Sequence, residues 1–539
     1  MSPSSSPLSR VAPIAWLILV VAAMSGAYWW WQIGRPVPLA DTPTAHIACV
    51  SYAPFYRPGQ TPLDPHAFVS PAQIDADLRA LSERFDCVRT YSQGFGLSAV
   101  PSIAQRYGMK VLMGVWIGRD PVANQREVQM GIATAKAYPE VLRGVIVGNE
   151  VLLRGEQSPT ALAGYITQVR NAIHDTHVPV TYADVWEFWL HYPQMADVVD
   201  YITIHILPYW EDEPVEPKDA LKHVAEVYGR MKTQFPGRSV MIGETGWPSH
   251  GKQRRAAAAS LVNEARYLRE FLRYAGSVDM PYNVIEAFDQ PWKREQEGTV
   301  GGYWGIFDVN AHPKFSMQGP VVEEPRWLLG WWAGAAGAVL FLLAAWWRAE
   351  WRGVRSRVTL LLAGFASGAA LAWQFRQMWY ASRNQLEWVF AGVMCLLALG
   401  TAIALARWIA ARLGGAPSTH APDRRVHFAW LFALTFYGLL LVFDGRYRDF
   451  PLGLFWLPAA GYLLVALLDT DRVAMPSVEQ RFMACLLPLL AAVVVAQDVG
   501  LSPPAWLWLG VNLALSGSVL IAWRRAARLQ AYQAQAAYQ

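Results

Sequence analysis

Two short runs, Val145-Ile-Val-Gly-Asn149-Glu150 and Val240-Met-Ile-Gly-Glu244-Thr-Gly-Trp247-Pro248-Ser249, each end an apolar, strand-like stretch with a glutamate. Carboxylates presented by two strand ends can flank a single bond. Cleaving a glycosidic bond needs such a pair: an acid to protonate the departing oxygen, and a second carboxylate to capture or stabilise the oxocarbenium-like centre. A separation of about 5 to 5.5 Å gives retention through a covalent intermediate, and about 6.5 to 9.5 Å gives inversion; the fold sets that distance. No cysteine and histidine spacing resembles a zinc site, and this chemistry calls for no metal or organic cofactor.

The elements that must position the pair follow from the pattern around them. Short β-branched runs occur at Ile47 to Ser51, Cys87 to Thr90, Lys110 to Trp116, Val141 to Gly148, Val178 to Tyr182, Val199 to His205, Val240 to Gly243 and Asn283 to Phe288. Helix-like stretches such as Pro71 to Arg84, Asn124 to Ala137, Pro159 to Ile173, Asp219 to Phe235 and Ala256 to Ala275 alternate with them. Eight such alternations predict an α/β domain folded as a (β/α)8 barrel, a TIM barrel, whose active site forms at the carboxyl ends of the strands. Glu150 and Glu244 would then close the fourth and seventh strands.

The rest of the chain is of another kind. Of 539 residues, 53% are hydrophobic, 26 are tryptophan and only 16% are charged, too apolar for an ordinary soluble domain. The excess lies near Val11 to Trp31 and after Trp327. The latter region holds seven stretches of near-spanning length: Trp327 to Trp347, Val358 to Trp373, Leu386 to Ala406, Val426 to Phe443, Leu452 to Leu468, Phe482 to Ala496 and Ala505 to Trp523. The predicted organisation is an N-terminal anchor and linker over 1–41, the barrel over 42–326, and an all-α, multi-span membrane domain over 327–539. Arginines alternate between the loops. Arg348, Arg352, Arg355 and Arg357, then Arg407, Arg412, Arg424 and Arg425, then Arg472 and Arg481, then Arg524, Arg525 and Arg528 mark one side, against Arg376, Arg383, Arg446 and Arg448 on the other. The positive-inside rule then places both termini in the cytoplasm and the barrel on the opposite, periplasmic face of a bacterial inner membrane. A cleaved signal peptide is the alternative for the first segment; Tyr28 to Trp31 resemble an interfacial aromatic belt and favour a retained anchor. The net charge of +4 is accounted for by loop arginines and gives no reason to expect a nucleic-acid partner. Cys49 and Cys87 are either a disulfide pair or two buried small hydrophobes.

The motifs at the strand ends resemble those of glycoside hydrolase family 17. They are Gly148-Asn149-Glu150, Gly243-Glu244-Thr-Gly-Trp247-Pro248-Ser249, Glu286-Ala-Phe288-Asp289-Gln290-Pro291-Trp292-Lys293 and Tyr303-Trp304-Gly305-Ile306-Phe307, in that order, within about Ala45 to Phe315. The resemblance implies a retaining enzyme of β-glucans, typically β-1,3-linked, with Glu150 as general acid/base and Glu244 as nucleophile. It also implies that Asn149 binds the sugar 2-hydroxyl, and that Glu286 and Lys293 flank the nucleophile, the cation keeping it ionised. This chain departs from the family at Gln290, where many relatives have glutamate. It departs again at His205-Ile-Leu207-Pro208-Tyr209-Trp210, where plant members have Asn-Ile-Tyr-Pro-Tyr. The tyrosine hydrogen bond to the nucleophile must then come from elsewhere, with Tyr209 and His205 as candidates.

Aromatic and polar residues at the strand ends complete the expected substrate site: Tyr52, Arg89, Tyr91, Tyr209, Trp210, Trp292 and Trp304, rings on which apolar sugar faces stack among them. Water as acceptor would make the enzyme a hydrolase and a sugar hydroxyl a glucanosyltransferase; tethering to a membrane favours transfer. The alternative is an accessory subunit of a glucan synthesis or export system, in which the barrel binds or branches nascent glucan and the tail docks a membrane glucan synthase.

Overall fold

In the computed structural model the described residues are 7–43, 46–347, 352–415, 422–469 and 475–538. Of the loop arginines, Arg348 and Arg472 lie outside them. The chain divides into two compact units: Val37–Gly251 with Ala256–Val321, and Met1–Pro36 with Lys252–Arg255 and Val322–Gln539.

The first unit is built on seven parallel strands in sequential order. These are β1 (Val50–Ser51), β2 (Cys87–Arg89), β3 (Lys110–Val115), β4 (Leu142–Asn149), β5 (Val180–Val185), β6 (Ile202–His205) and β7 (Val240–Glu244). The eighth position closes the ring without forming a regular strand. Ile242 N donates to Pro281 O, Asn283 N to Ile242 O, Val284 N to Cys49 O and Ser51 N to Val284 O, so residues 281–284 bridge β7 to β1. The strand predicted at Asn283 to Phe288 is therefore half right. From Glu286 the backbone also takes partners outside the ring, Glu286 N donating to Trp304 O and Ile306 N to Glu286 O, while Ala287 N still donates to Ser51 O of β1.

Helices start where side chains can cap them. Ser70, Asp120, Ser158 and Ser260 each accept from a backbone N–H in the first turn of Pro71–Leu81, Pro121–Ala137, Pro159–Ala172 and Leu261–Ser277. The last of these starts later than the predicted Ala256. Ser260 N is tied to Pro248 O, and the indole of Trp247 donates to Ala258 O, so the preceding residues are held as a loop. Inside the barrel, Cys49, Cys87, Leu112, Ile146, Ala183 and Met241 pack as an apolar floor, and Cys49 and Cys87 are joined as a disulfide. Over that floor the side chains turn polar, beginning with the Thr181 and Thr203 hydroxyls 3.0 Å apart.

The second unit is helical. Among the described residues seven helices have the length and hydropathy to cross a membrane: Val11–Ile33, Leu328–Ala345, Val354–Ala381, Gln385–Leu413, Arg424–Tyr447, Val478–Gln497 and Pro503–Ala536. Leu452–Leu468, the fifth predicted span after Trp327, is apolar but has 17 residues. Small residues let two of these helices meet closely: a Cβ on Gly368 would lie 2.0 Å from Ala333 O, and one on Gly337 2.3 Å from Gly364 O.

Candidate active site

The end of β4 turns sharply to present Glu150. Gly148 and Glu150 both have positive φ, 85° and 53°, and Glu150 N donates to Ala183 O of β5. The turn after it is anchored on β5, with Leu152 N donating to Tyr182 Oη (3.0 Å) and Leu153 N to Asp184 Oδ2 (3.4 Å). Tyr182 Oη itself donates to Asp184, whose carboxyl is pushed up to about 6 by burial, with the neighbouring Glu150 charge adding to that.

Glu244 ends β7 and is almost fully buried. Its Oε1 accepts from Arg89 Nη1 (2.9 Å) and Tyr91 Oη (2.8 Å), both from β2 and the residues just after it. Arg89 Nη1 also donates to Gly243 O (2.8 Å) and Nη2 to Asn149 Oδ1 (2.5 Å), so one guanidinium ties the β4 and β7 motifs together. His205, from β6, stands between the two glutamates: its Nδ1 is 3.1 Å from Glu150 Oε1 and 3.7 Å from Glu244 Oε2. Donor atoms of Glu150, His205 and Glu244 lie within 4.8 Å of one another. That spacing would admit a metal ion, but the donor set does not suit one. The Arg89 guanidinium already supplies positive charge to Glu244 and faces the histidine ring, and it would repel a divalent cation.

Burial works to raise the Glu150 carboxyl, but the hydrogen bond and charge of His205, with Arg154 and Arg89, outweigh it and hold the group below the usual range. Arg154 Nη1 is 3.8 Å from Glu150 Oε2 and its guanidinium lies over the Trp116 ring. Tyr91 is pushed well up by burial and the Glu244 charge, so it stays a hydroxyl donor.

Several residues sit differently from expectation. The cation in contact with Glu244 is Arg89, whereas Lys293 Nζ is held by both oxygens of Glu286 at 2.9 and 2.8 Å. Burial lifts Glu286 to about 7 against that pairing. The tyrosine on the nucleophile is Tyr91; Tyr209 is fully buried against Trp210, Trp247 and Trp304. Tyr52 does not face the cleft. Strand side chains alternate, so Ser51 points inward toward Tyr91 while Tyr52 points to the helix layer and donates to Asp77 (2.8 Å). Trp304 is buried and stacks on half-buried Trp210, with ring centroids 6.4 Å apart, and Trp292 donates to Gln290. Residues that motif reading passed over are Arg154, one helical turn from Glu150; Tyr182, which fixes the Glu150 turn; and Asn283, which donates to Ser51 Oγ and Gly243 O beneath Tyr91. Arg154 alone carried a signal, its i+4 spacing from Glu150.

Beneath this wall lies a second charged group. Lys314 Nζ reaches Asp289 (2.9 Å), Glu264 (3.1 Å) and Ser249 Oγ (2.8 Å), and Asp289 also accepts from Gly305 N. It ties the segment carrying Trp304 to the Leu261–Ser277 helix.

Comparison with known proteins matches residues 49–305 to the model of the BtgE/BtgC glycoside hydrolase domain. A glucan 1,3-beta-glucosidase of Arthroderma benhamiae is 28% identical over 266 residues, covering 46% of this chain and 84% of that protein. A probable beta-glucosidase btgE of Aspergillus fumigatus is 26% identical over 42% of this chain, but that match takes in only 40% of the fungal protein. Among solved structures, a glycoside hydrolase family 17 beta-1,3-glucanosyltransferase from Rhizomucor miehei aligns with a TM-score of 0.45 and 25% identity, over 50% of this chain and 97% of that one.

Proposed function

We propose that residues 49–305, which match the BtgE/BtgC glycoside hydrolase domain, are a glycoside hydrolase domain of the family 17 type and that the protein cleaves and rejoins β-1,3-glucan with retention of configuration. Glu244 is the nucleophile and Glu150 the acid/base in this reading. The observation that carries it is the close approach of the two carboxylates, with an oxygen of each within 4.8 Å, on the retaining side of the divide. Arg89 and Tyr91 both occupy Glu244 Oε1, which leaves Oε2 to attack the anomeric carbon. As the carbon–oxygen bond breaks, Glu150 gives its proton to the departing oxygen and a glycosyl ester forms on Glu244. An incoming hydroxyl then attacks the ester and returns a proton to Glu150. Asn149 Oδ1 is taken by Arg89, so its amide N–H groups are the ones left to donate to a sugar hydroxyl, an interaction that would strengthen in the transition state.

The place of action follows from independent features. Seven apolar helices of spanning length support a bilayer-embedded protein, and the loop arginines support cytoplasmic termini with the glycosidase domain outside. A Cys49–Cys87 disulfide suits an oxidising compartment. Tethering beside a site of glucan export favours a sugar hydroxyl over water as acceptor, with the helical unit as a scaffold for a glucan synthase. The test is product analysis of the full chain in detergent on reduced laminari-oligosaccharides, beside Glu244→Gln. Shorter and longer products from the parent and neither from the variant support transfer. Shorter products alone reduce the reading to hydrolysis, and an inactive parent refutes it.

A further inference from the structure

A general acid must carry a proton when the glycosidic oxygen departs, yet its neighbours hold Glu150 below the usual carboxylate range. The geometry of His205 accounts for this. Its Nε2 is 3.5 Å from Arg89 Nη1, and a guanidinium offers only donors. Both Nη1 hydrogens already go to Gly243 O and Glu244 Oε1, so the ring hydrogen is placed from the other side of the ring: Nδ1 faces Glu150 Oε1, and an ionised carboxylate can only accept. That N–H points at Glu150 Oε1, 3.1 Å away. A protonated Glu150 oxygen there would set O–H against N–H.

We propose that His205 is a positioning residue that keeps Glu150 ionised in the free enzyme by donating its Nδ1 hydrogen, and so sets the upper pH limit of bond cleavage. The inference rests on the acid/base assignment of Glu150 above. In the first half-reaction the proton passes from Glu150 to the departing oxygen, and every group that stabilises the carboxylate works against that step. In the second half the incoming hydroxyl gives its proton to Glu150, and the same hydrogen bond favours the form that accepts it. The His205 hydrogen stays on the ring throughout. His205 thus weakens the acid and strengthens the base, a bias towards discharge of the glycosyl ester.

Other groups facing Glu150 act in both directions. Arg154, on the same turn, and Arg89, on β2, also favour the carboxylate. Glu244 Oε2 on β7 lies 3.7 Å from the same Nδ1, beyond hydrogen-bond reach, and adds negative charge. Asp184 on β5, bonded to Tyr182, and Glu297, in the short helix Arg294–Glu297, bring negative charge that disfavours it. Arg154 is more distant than His205, at 3.8 Å against 3.1 Å, so the histidine is the dominant contact.

The experiment is pH-dependent infrared difference spectroscopy on the full chain in detergent, with Glu150→Gln identifying the Glu150 carboxyl band. In His205→Phe, which keeps a planar ring without a donor, the band should titrate about one to two pH units higher than in the parent. His205→Asn retains an N–H and should fall between the two. Identical titration in the parent and His205→Phe overturns the proposal. If the phenylalanine variant does not fold, a parent Glu150 titrating at or above the ordinary glutamate value overturns it just as well. The readout needs no turnover. A chain that leaves every β-1,3-glucan intact would refute the catalytic assignment, while the band positions would still judge the role of His205.

Discussion

Replacing Glu264 with glutamine should remove a large pH dependence from the glycosidase domain. Glu264 and Asp289 share one buried cation, Lys314, so a fully ionised group would hold an unbalanced negative charge in the interior. Burial is the main cause lifting Glu264 from 4.5 to about 8, with Lys314 opposing it. The folded pKa lies above the unfolded one, so between these values the folded state binds more protons, and stability falls as pH rises from 4.5 through 8. The difference of 3.5 units at 1.36 kcal/mol each puts the total near 5 kcal/mol, an order-of-magnitude figure. No discount for solvent screening is needed, because Glu264 is 3% exposed. In Glu264→Gln the Lys314–Asp289 pair remains and nothing is left to ionise at the third position. Hydrogen exchange of peptides from the Leu261–Ser277 helix, measured on the full chain, reads this region directly. Relative to the variant, the parent should lose about three decades of protection between about pH 5 and about pH 9. Parallel pH profiles for parent and variant would refute the argument, since they would mean that Glu264 ionises in place without cost.

Arg89→Lys should lower kcat/KM on β-1,3-glucan oligosaccharides about a hundredfold or more, because one ammonium cannot bond Gly243 O, Glu244 and Asn149 together as the guanidinium does. A loss under threefold, with the fold intact by circular dichroism, would contradict that role. Cys49→Ser with Cys87→Ser opens a crosslink spanning 38 residues and should cost about 4 kcal/mol in the urea unfolding of the domain. Reductant should mimic the substitution in the parent and leave the variant unchanged.

What could be read from the chain beforehand was what depends on local order along a strand. Glu150 and Glu244 each end an apolar run, and parallel strands in sequence bring such ends to one mouth, where the two carboxylates do meet. Side-chain direction was harder. Tyr52 and Tyr91 both stand just past a strand, but only the one in phase with the inward set reaches the cleft. Partner choice was harder still. Lys293 and Arg89 are both cations near Glu244, and the short reach of Glu286 to Lys293 decides between them in three dimensions. The eighth strand is irregular because its backbone divides its partners past Val284: Ala287 N still donates to Ser51 O, while Glu286 and Asp289 pair with residues 304–307. The Cys49–Cys87 pairing had two readings in sequence, and adjacency of β1 and β2 selects one.

The irregular closure of the barrel has a consequence for how the chain is made. On the ribosome β1 through β7 emerge in order, and each can pair with the strand before it, but residues 281–284 follow β7 only after the Leu261–Ser277 helix. Until they arrive, the nascent sheet has two open edges, β1 and β7, whose unpaired amides are templates for pairing with other chains. The first of these edges is short: β1 pairs with β2 at Val50 and Ser51, with an isolated parallel bridge from Ile47 to Phe85 before them. A covalent link from Cys49 to Cys87 fastens that edge once the second strand is out. The bond thus fastens the open edge of a half-built barrel, and loss of the cysteines should be felt first in yield from synthesis, before any effect on the finished enzyme.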